Sequence, residues 1–342
     1  MSTRLKILKA RHGDAFILEC KKDDSSFIMV IDSGPKLSIK DIVPQIKALP
    51  QVDLLVLTHY DEDHIGGFID YFKKYPEDAL KIKEYWCNCA NQIEVDTGNE
   101  ISAYENAKSF ADSLRKILGD HHDIKWKELI KAGYHIKNEF VDVEVISPSE
   151  EAFQLNRNKY IEEQYPAISY RTMKDDLEVP LLDLAKRDTP KSSQVVNNAS
   201  IAFILRSEDK SFLMLGDVMA EDVYQYLTKE KEGERYSIDN PLKVDFVKLS
   251  HHGSKFNISN DLLDIISCEN FIISTNGGMA NAYHPDREAI AKVLYHPHRD
   301  MNSAVHLYFN YNLVDIGKKT RIFNMGELEG ANCIIHEDVL EL

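Results

Sequence analysis

A chain of 342 residues with 43% hydrophobic and 28% charged residues has ordinary globular composition, which excludes a disordered or fibrous chain and leaves room for one large domain or two ordinary ones. A formal net charge of −15 excludes a general attraction for nucleic acid or an anionic membrane. Met1-Ser2-Thr3-Arg4-Leu5-Lys6 has no apolar signal core and no later run approaches a membrane span, so a cytoplasmic location without a membrane partner is expected.

Leu5 to Leu8, Ala15 to Cys20 and Phe27 to Asp32 read as strands, and Asp32-Ser33-Gly34-Pro35 breaks the third. Ile39 to Leu49 has helical periodicity, and the apolar run Val52 to Leu57 is the next strand. Gly66 to Tyr75 is expected to be a helix, Ile82 to Cys87 a strand, and Ser102 to Leu118 a longer helix. The five cysteines are odd in number and scattered, so reduced thiols are expected, with Cys87 and Cys89 packed in or near a core rather than binding metal.

Val141 to Ile146 is a strand ending at Ser147-Pro148-Ser149. From Glu150 to about Ser193 charge and Tyr dominate, which reads as a helical or loop insertion and a candidate lid. Strands resume at Ser200 to Leu205, Ser211 to Leu215, Val244 to Leu249 and Phe271 to Ser274. A helix from Asp286 to Leu294 and short strands including Ala304 to Tyr308 and Arg321 to Phe323 follow.

Polar residues of metal-binding type recur just beyond the buried strands, where layered α/β folds build their sites. The densest case is Thr58-His59-Tyr60-Asp61-Glu62-Asp63-His64-Ile65-Gly66-Gly67, which puts four candidate ligands within six residues, after an apolar strand and before a Gly-Gly that opens a helix. From an extended loop His59 and Asp61 can reach one ion while Asp63 and His64 turn toward a second, at the separation of about 3.5–4 Å typical of two-metal sites. The bland alternative, a solvated acidic turn with incidental histidines, does not explain that density.

The motif resembles the metal-binding signature of the metallo-β-lactamase superfamily, in the ComEC-like branch where aspartate replaces the second histidine. His12-Gly13-Asp14-Ala15, Ile31-Asp32-Ser33-Gly34, Asn197-Asn198-Ala199-Ser200, Leu215-Gly216-Asp217, Ser250-His251-His252-Gly253-Ser254 and Tyr283-His284-Pro285 match further family motifs in order. The resemblance implies a four-layer αββα sandwich over residues 1–342, with an insertion at about 90–195 and a C-terminal extension at about 300–342. It implies Asp217 as a carboxylate bridging two divalent ions, zinc or manganese, with His59 and Asp61 on one and Asp63 and His64 on the other. His252, His251 or His284 would complete the second position or stand beside the substrate. Asn198 falls near where relatives carry another histidine, and Asp14 and Asp32 would orient the ligand loop from behind. Of the adjacent His251 and His252, an extended backbone would aim one at the site and the other into packing.

Two such ions would lower the pKa of a bridging water, with Asp63 orienting the hydroxide and His284 or His251 stabilising charge or protonating the leaving oxygen. The expected activity is that of a metal-dependent phosphodiesterase or nuclease, with DNA and RNA among the candidate substrates. Lys248, Lys255 and Arg287 are candidate groove residues, and Lys186, Arg187 and Lys191 could assist. The competing readings are hydrolysis of a lactam, lactone or thioester, and a metal-stabilised interaction component of a multiprotein bacterial system, with the insertion as a surface for a protein partner.

Overall fold

Strands with side chains alternating between two cores organise the molecule. The structure, a computed structural model, describes residues 1–89, 103–119, 121–162, 174–190, 195–229, 236–279 and 283–342. Strands β1 (Ser2–Ile7), β2 (Phe16–Lys22), β3 (Ser25–Ile31), β4 (Leu54–Leu57), β5 (Glu84–Cys87) and β6 (Lys125–Lys127) form one sheet in that order. The first two pairings are antiparallel and the remainder parallel.

The second sheet uses β7 (His135–Lys137), β8 (Asp142–Ser147), β9 (Ala202–Arg206), β10 (Ser211–Met214), β12 (Phe246–Lys248), β14 (Asn270–Ile273), β15 (Val305–Phe309) and β16 (Cys333–His336). They lie in the order β16-β15-β14-β12-β10-β9-β8-β7, while β11 (Leu242–Lys243) pairs separately with β13 (Ile266–Ser267).

Phe16, Leu18, Met29, Ile31, Val56 and Trp86 of the first sheet meet Val143, Phe203, Phe212 and Ile272 of the second in a central core. The opposite face of the first sheet, with Ile17, Val30, Leu55 and Tyr85, packs on helices Ile39–Lys47, Glu62–Lys74 and Ala103–Leu118. Ile204, Leu213, Val247 and Leu307 of the second sheet face helices Ala220–Thr228 and Arg287–Tyr295. The architecture is thus an αββα sandwich, and among the described residues no helix is long and apolar enough to cross a membrane.

Three differences from the sequence reading concern sheet edges. Lys125–Lys127 and His135–Lys137 are short edge strands that the apolar pattern did not mark. Arg321 to Phe323 is not a strand; Cys333–His336 takes the edge instead, beside β15. Of the segment from 150 to 193, the described residues form helix Glu150–Glu162, a 3-10 turn Lys174–Glu178 and helix Leu181–Leu184, whereas Lys191 lies outside them. Cys87 and Cys89 are free and buried in the helix-facing core.

Arg287 is not a groove residue. Only 1% exposed, it donates to the carbonyls of Asp176 at 2.9 Å and Val179 at 3.1 Å, and pairs with Glu327 at 2.5 Å. It therefore staples the segment after residue 174 and the segment near 327 onto one helix. Arg187 is likewise engaged by Asp176 at 2.7 Å and Lys186 by Asp183 at 2.8 Å. Arg287→Ala is expected to cost about 3–5 kcal/mol, because it strands Glu327 and several carbonyls. Arg287→Lys should recover little of that, since an ammonium cannot reproduce the planar fork. Urea unfolding of both variants measures the loss, and an unshifted midpoint would contradict the stapling role.

Candidate metal centre

The apolar run of β4 ends at Leu57, and the chain turns sharply through His59 and Tyr60 into helix Glu62–Lys74. Asp61 occupies the N-cap position, where an aspartate ordinarily accepts from the helix's first N–H groups. Its side chain makes no cap hydrogen bond, and Oδ2 instead lies 3.6 Å from His59 Nε2.

Three loops are stitched together beneath this turn. Asp14 N–H donates to Asp63 O at 3.2 Å, Ser33 N–H to His64 O at 2.8 Å, and Gly34 N–H to Asp14 O at 2.7 Å. The approach is so close at Gly13 that a Cβ there would sit 1.9 Å from the Asp63 carbonyl oxygen.

Asp32, in the left-handed region at φ 54°, accepts from Thr58 N–H at 2.8 Å, from the Thr58 hydroxyl at 2.7 Å, and from His64 Nδ1 at 2.8 Å. That fixes which nitrogen of His64 faces the site, a common arrangement behind metal-binding imidazoles. His64 Nε2 lies 3.4 Å from Asp217 Oδ1, and His59 Nε2 lies 3.8 Å from Asp217 Oδ2. His59 Nε2, His64 Nε2 and Asp217 Oδ1 are buried without a hydrogen-bond partner. Buried polar atoms are rarely left so, and a bound cation would satisfy all three.

His251 and His252 correct the expectation of an extended backbone. Both are in the left-handed region, at φ 48° and 55°, and both rings face the carboxylates. His252 donates from Nδ1 to Ser274 O at 2.8 Å and sets Nε2 3.2 Å from Asp63 Oδ2. His251 Nε2 lies 3.6 Å from Asp217 Oδ2, while its Nδ1 is 3.2 Å from Asn257 Oδ1. Among the described residues three groups of potential ligands meet at His64: two face the site, His59 with His64 and Asp217 and Asp63 with His64 and His252, and the third, Asp14 with Asp32 and His64, lies on the Nδ1 side of that ring. His284 stands behind His251, ring centroids 5.0 Å apart, with Nδ1 3.5 Å from Asp286 Oδ2.

Asn198 Oδ1 is buried without a hydrogen-bond partner, whereas the preceding Asn197 reaches His251 Nδ1 at 3.4 Å. Lys248, expected in a groove, is 1% exposed in the floor of the site, paired with Asp14 and donating to Gly216 O at 3.1 Å. Lys255 offers its backbone N–H to Asp286 at 2.9 Å. Residues 281 and 282, ahead of Tyr283 and His284, lie outside the described residues. Motif reading also missed Asn257 and Ser274, whose roles arise from contacts between distant segments.

The charges compensate one another in the absence of metal. Burial would raise the Asp63 and Asp217 carboxyls, yet His64 and the other imidazoles hold both well below the ordinary range. Burial would likewise strip the proton from Lys248, but Asp14 and Asp217 keep it bound. His251 is pushed by burial to about 4, with His284 and His252 adding to the effect against Asp217. His252 goes the other way: burial lowers it, but Asp14 and Asp63 raise it to about 9.

Because the folded pKa of His252 exceeds its unfolded value of about 6.5, its imidazolium stabilises the metal-free fold fully below that pH. That contribution is lost as pH rises through about 9. A metal requires the neutral ring, so manganese or zinc uptake at pH 7 should release protons and tighten as pH rises toward 9. Calorimetric titration in two buffers of different ionisation enthalpy counts those protons, and buffer-independent heats would contradict the assignment. Asp32→Asn should weaken metal binding by roughly 10- to 100-fold in equilibrium dialysis, and wild-type affinity would refute its orienting role.

A family model described as the metallo-beta-lactamase superfamily matches residues 9–277. ComE operon protein 3 of Bacillus subtilis (strain 168) is 22% identical over 309 residues, covering 82% of this chain and 30% of that protein, so the chain spans under a third of its relative's length. Among solved structures, zinc-bound PqqB from Methylobacterium extorquens is similar with a TM-score of 0.44, 10% identity, and 99% of each chain covered. The metallo-beta-lactamase fold protein YhfI from Bacillus subtilis gives a TM-score of 0.41 and 8% identity over 100% of this chain and 99% of its own. With most of its length matched by the family model, the chain belongs to the metallo-beta-lactamase superfamily.

Proposed function

We propose that this chain is a two-metal hydrolase of phosphodiesters. The observation that carries the reading is the meeting of two ligand groups at His64, beside a buried Asp217 whose two oxygens face different imidazoles. His59, Asp61 and Asp217 would hold the first divalent cation, and Asp63, His64 and His252 the second. His251 faces the same Asp217 oxygen as His59, and supplies at the first position the imidazole that Asn198 does not.

Bound there, the two cations would supply Lewis acidity to the scissile ester and bring the pKa of water toward neutrality. Three carboxylates among these donors make the site rich in oxygen, which lets manganese compete with zinc and suits a phosphate ligand. Asp63, partly exposed where Asp217 is buried, orients the attacking water through the oxygen not used for binding. His284, held toward Asp286, is placed to pass a proton to the departing oxygen. Burial of His59, His64 and Asp217 excludes bulk water from the donor atoms and strengthens their charge interactions.

The test is metal analysis together with turnover of bis(p-nitrophenyl) phosphate and of single- and double-stranded DNA, with manganese or zinc added. Asp63→Ala should lower kcat by at least about a hundredfold with the fold intact by circular dichroism. Equal turnover by wild type and variant would eliminate the mechanism. Hydrolysis of a lactam, lactone or thioester, with every phosphodiester untouched, would move the assignment to a carbonyl substrate.

A further inference from the structure

Arg11 and Lys319, far apart in the sequence, are joined through Asn276. The Arg11 carbonyl accepts from Asn276 N–H at 2.7 Å, and Lys319 Nζ donates to Asn276 Oδ1 at 2.8 Å and to Gly278 O at 2.7 Å. Arg11 Nε donates to Leu37 O at 3.0 Å. Every one of these partners is neutral, and among the described residues neither cation forms an ion pair. Lys318, one residue earlier, is by contrast paired with Asp315 at 2.5 Å, as an ordinary surface lysine is.

The segments that carry these two cations also carry the site. Arg11 and His12 run into Gly13, which lies against the Asp63 carbonyl. Ser274 Oγ donates to Gly13 O at 3.2 Å, while Ser274 O fixes His252 and leads two residues on to Asn276. His12 lies between: burial lowers its pKa, and Asp63 opposes that while His252 and Lys319 add to it, so it stands within the fields of both the metal site and the rim. Burial and the proximity of Arg11 lower Lys319. Two exposed cations that have neutral hydrogen-bond partners and, among the described residues, no ion-pair partner attract an anion. In a chain of net charge −15, carboxylates were plentiful enough to neutralise them.

We propose that Arg11 and Lys319, with His12 on the side of the metals, bind a second phosphate flanking the scissile one, so that the preferred substrate is a strand of linked phosphodiesters. The inference rests on the phosphodiesterase reading above and adds the substrate class. Orientation by neutral acceptors leaves both charges available to phosphate oxygens, the arginine through two parallel N–H groups. A local pair of positive charges reconciles a polyanionic substrate with an acidic protein.

The decisive experiment compares kcat/KM on a short oligothymidylate and on bis(p-nitrophenyl) phosphate, for manganese-loaded wild type, Arg11→Gln, Lys319→Gln and the control Lys318→Gln. The ratio of the two values should fall about tenfold in each rim variant and hold in the control. Lys319→Arg, which keeps the charge, should restore it. Ratios in both rim variants equal to wild type overturn the inference. If neither ester is turned over, the phosphodiesterase reading fails separately, and anisotropy of a labelled oligothymidylate then judges the rim. Its slope of log affinity against log salt should drop by about 0.7 for each cation removed, and an unchanged slope overturns the rim as well.

Discussion

Asp32 is the residue on which the site's geometry depends. Its two oxygens accept three hydrogen bonds, joining the end of β3 to the backbone and hydroxyl of Thr58 and to His64. One carboxylate thus sets the exit of the chain from β4, the start of the helix Glu62–Lys74 and the orientation of the imidazole shared by both ligand groups. The neighbouring loop bonds, from Asp14 to Asp63 and from Ser33 to His64, extend the same constraint, so that the ligands are positioned by backbone rather than by long flexible side chains.

Such a concentration of carboxylates could not be buried without cations. Protonated His64 and His252 answer Asp63 and Asp217 in the metal-free protein, and Lys248 answers Asp14 from below. Lys248 has a separate consequence: it is a permanent positive charge in the floor, held 4.0 Å from Asp217 Oδ1, and it moderates the affinity that the carboxylates would otherwise give to metal. The site is therefore tuned between holding cations and remaining folded without them.

Most of the layered architecture was legible because buried strands carry uninterrupted apolar runs, as in Leu54–Leu57 and Phe271 to Ile273. The strands of the two large sheets that escaped notice, Lys125–Lys127, His135–Lys137 and Cys333–His336, are all at sheet edges, where charged residues and partial exposure weaken the pattern. The dense motif around His59 was legible for the opposite reason: its polarity interrupts an apolar context. Lys248 and Arg287 were misjudged because a lysine or arginine looks alike in sequence whether it faces solvent or a buried carboxylate. Nor could spacing distinguish His251 from His252, since the left-handed backbone that turns both inward is visible only in the fold.

That turn has a consequence for how the protein can change. Two successive non-glycine residues in the left-handed region each carry a penalty of about 1–2 kcal/mol, which glycine would relieve. Any search for thermal robustness would find these positions attractive and would erase an imidazole each time it succeeded. At His251 and His252 the demands of endurance and of chemistry therefore pull against each other.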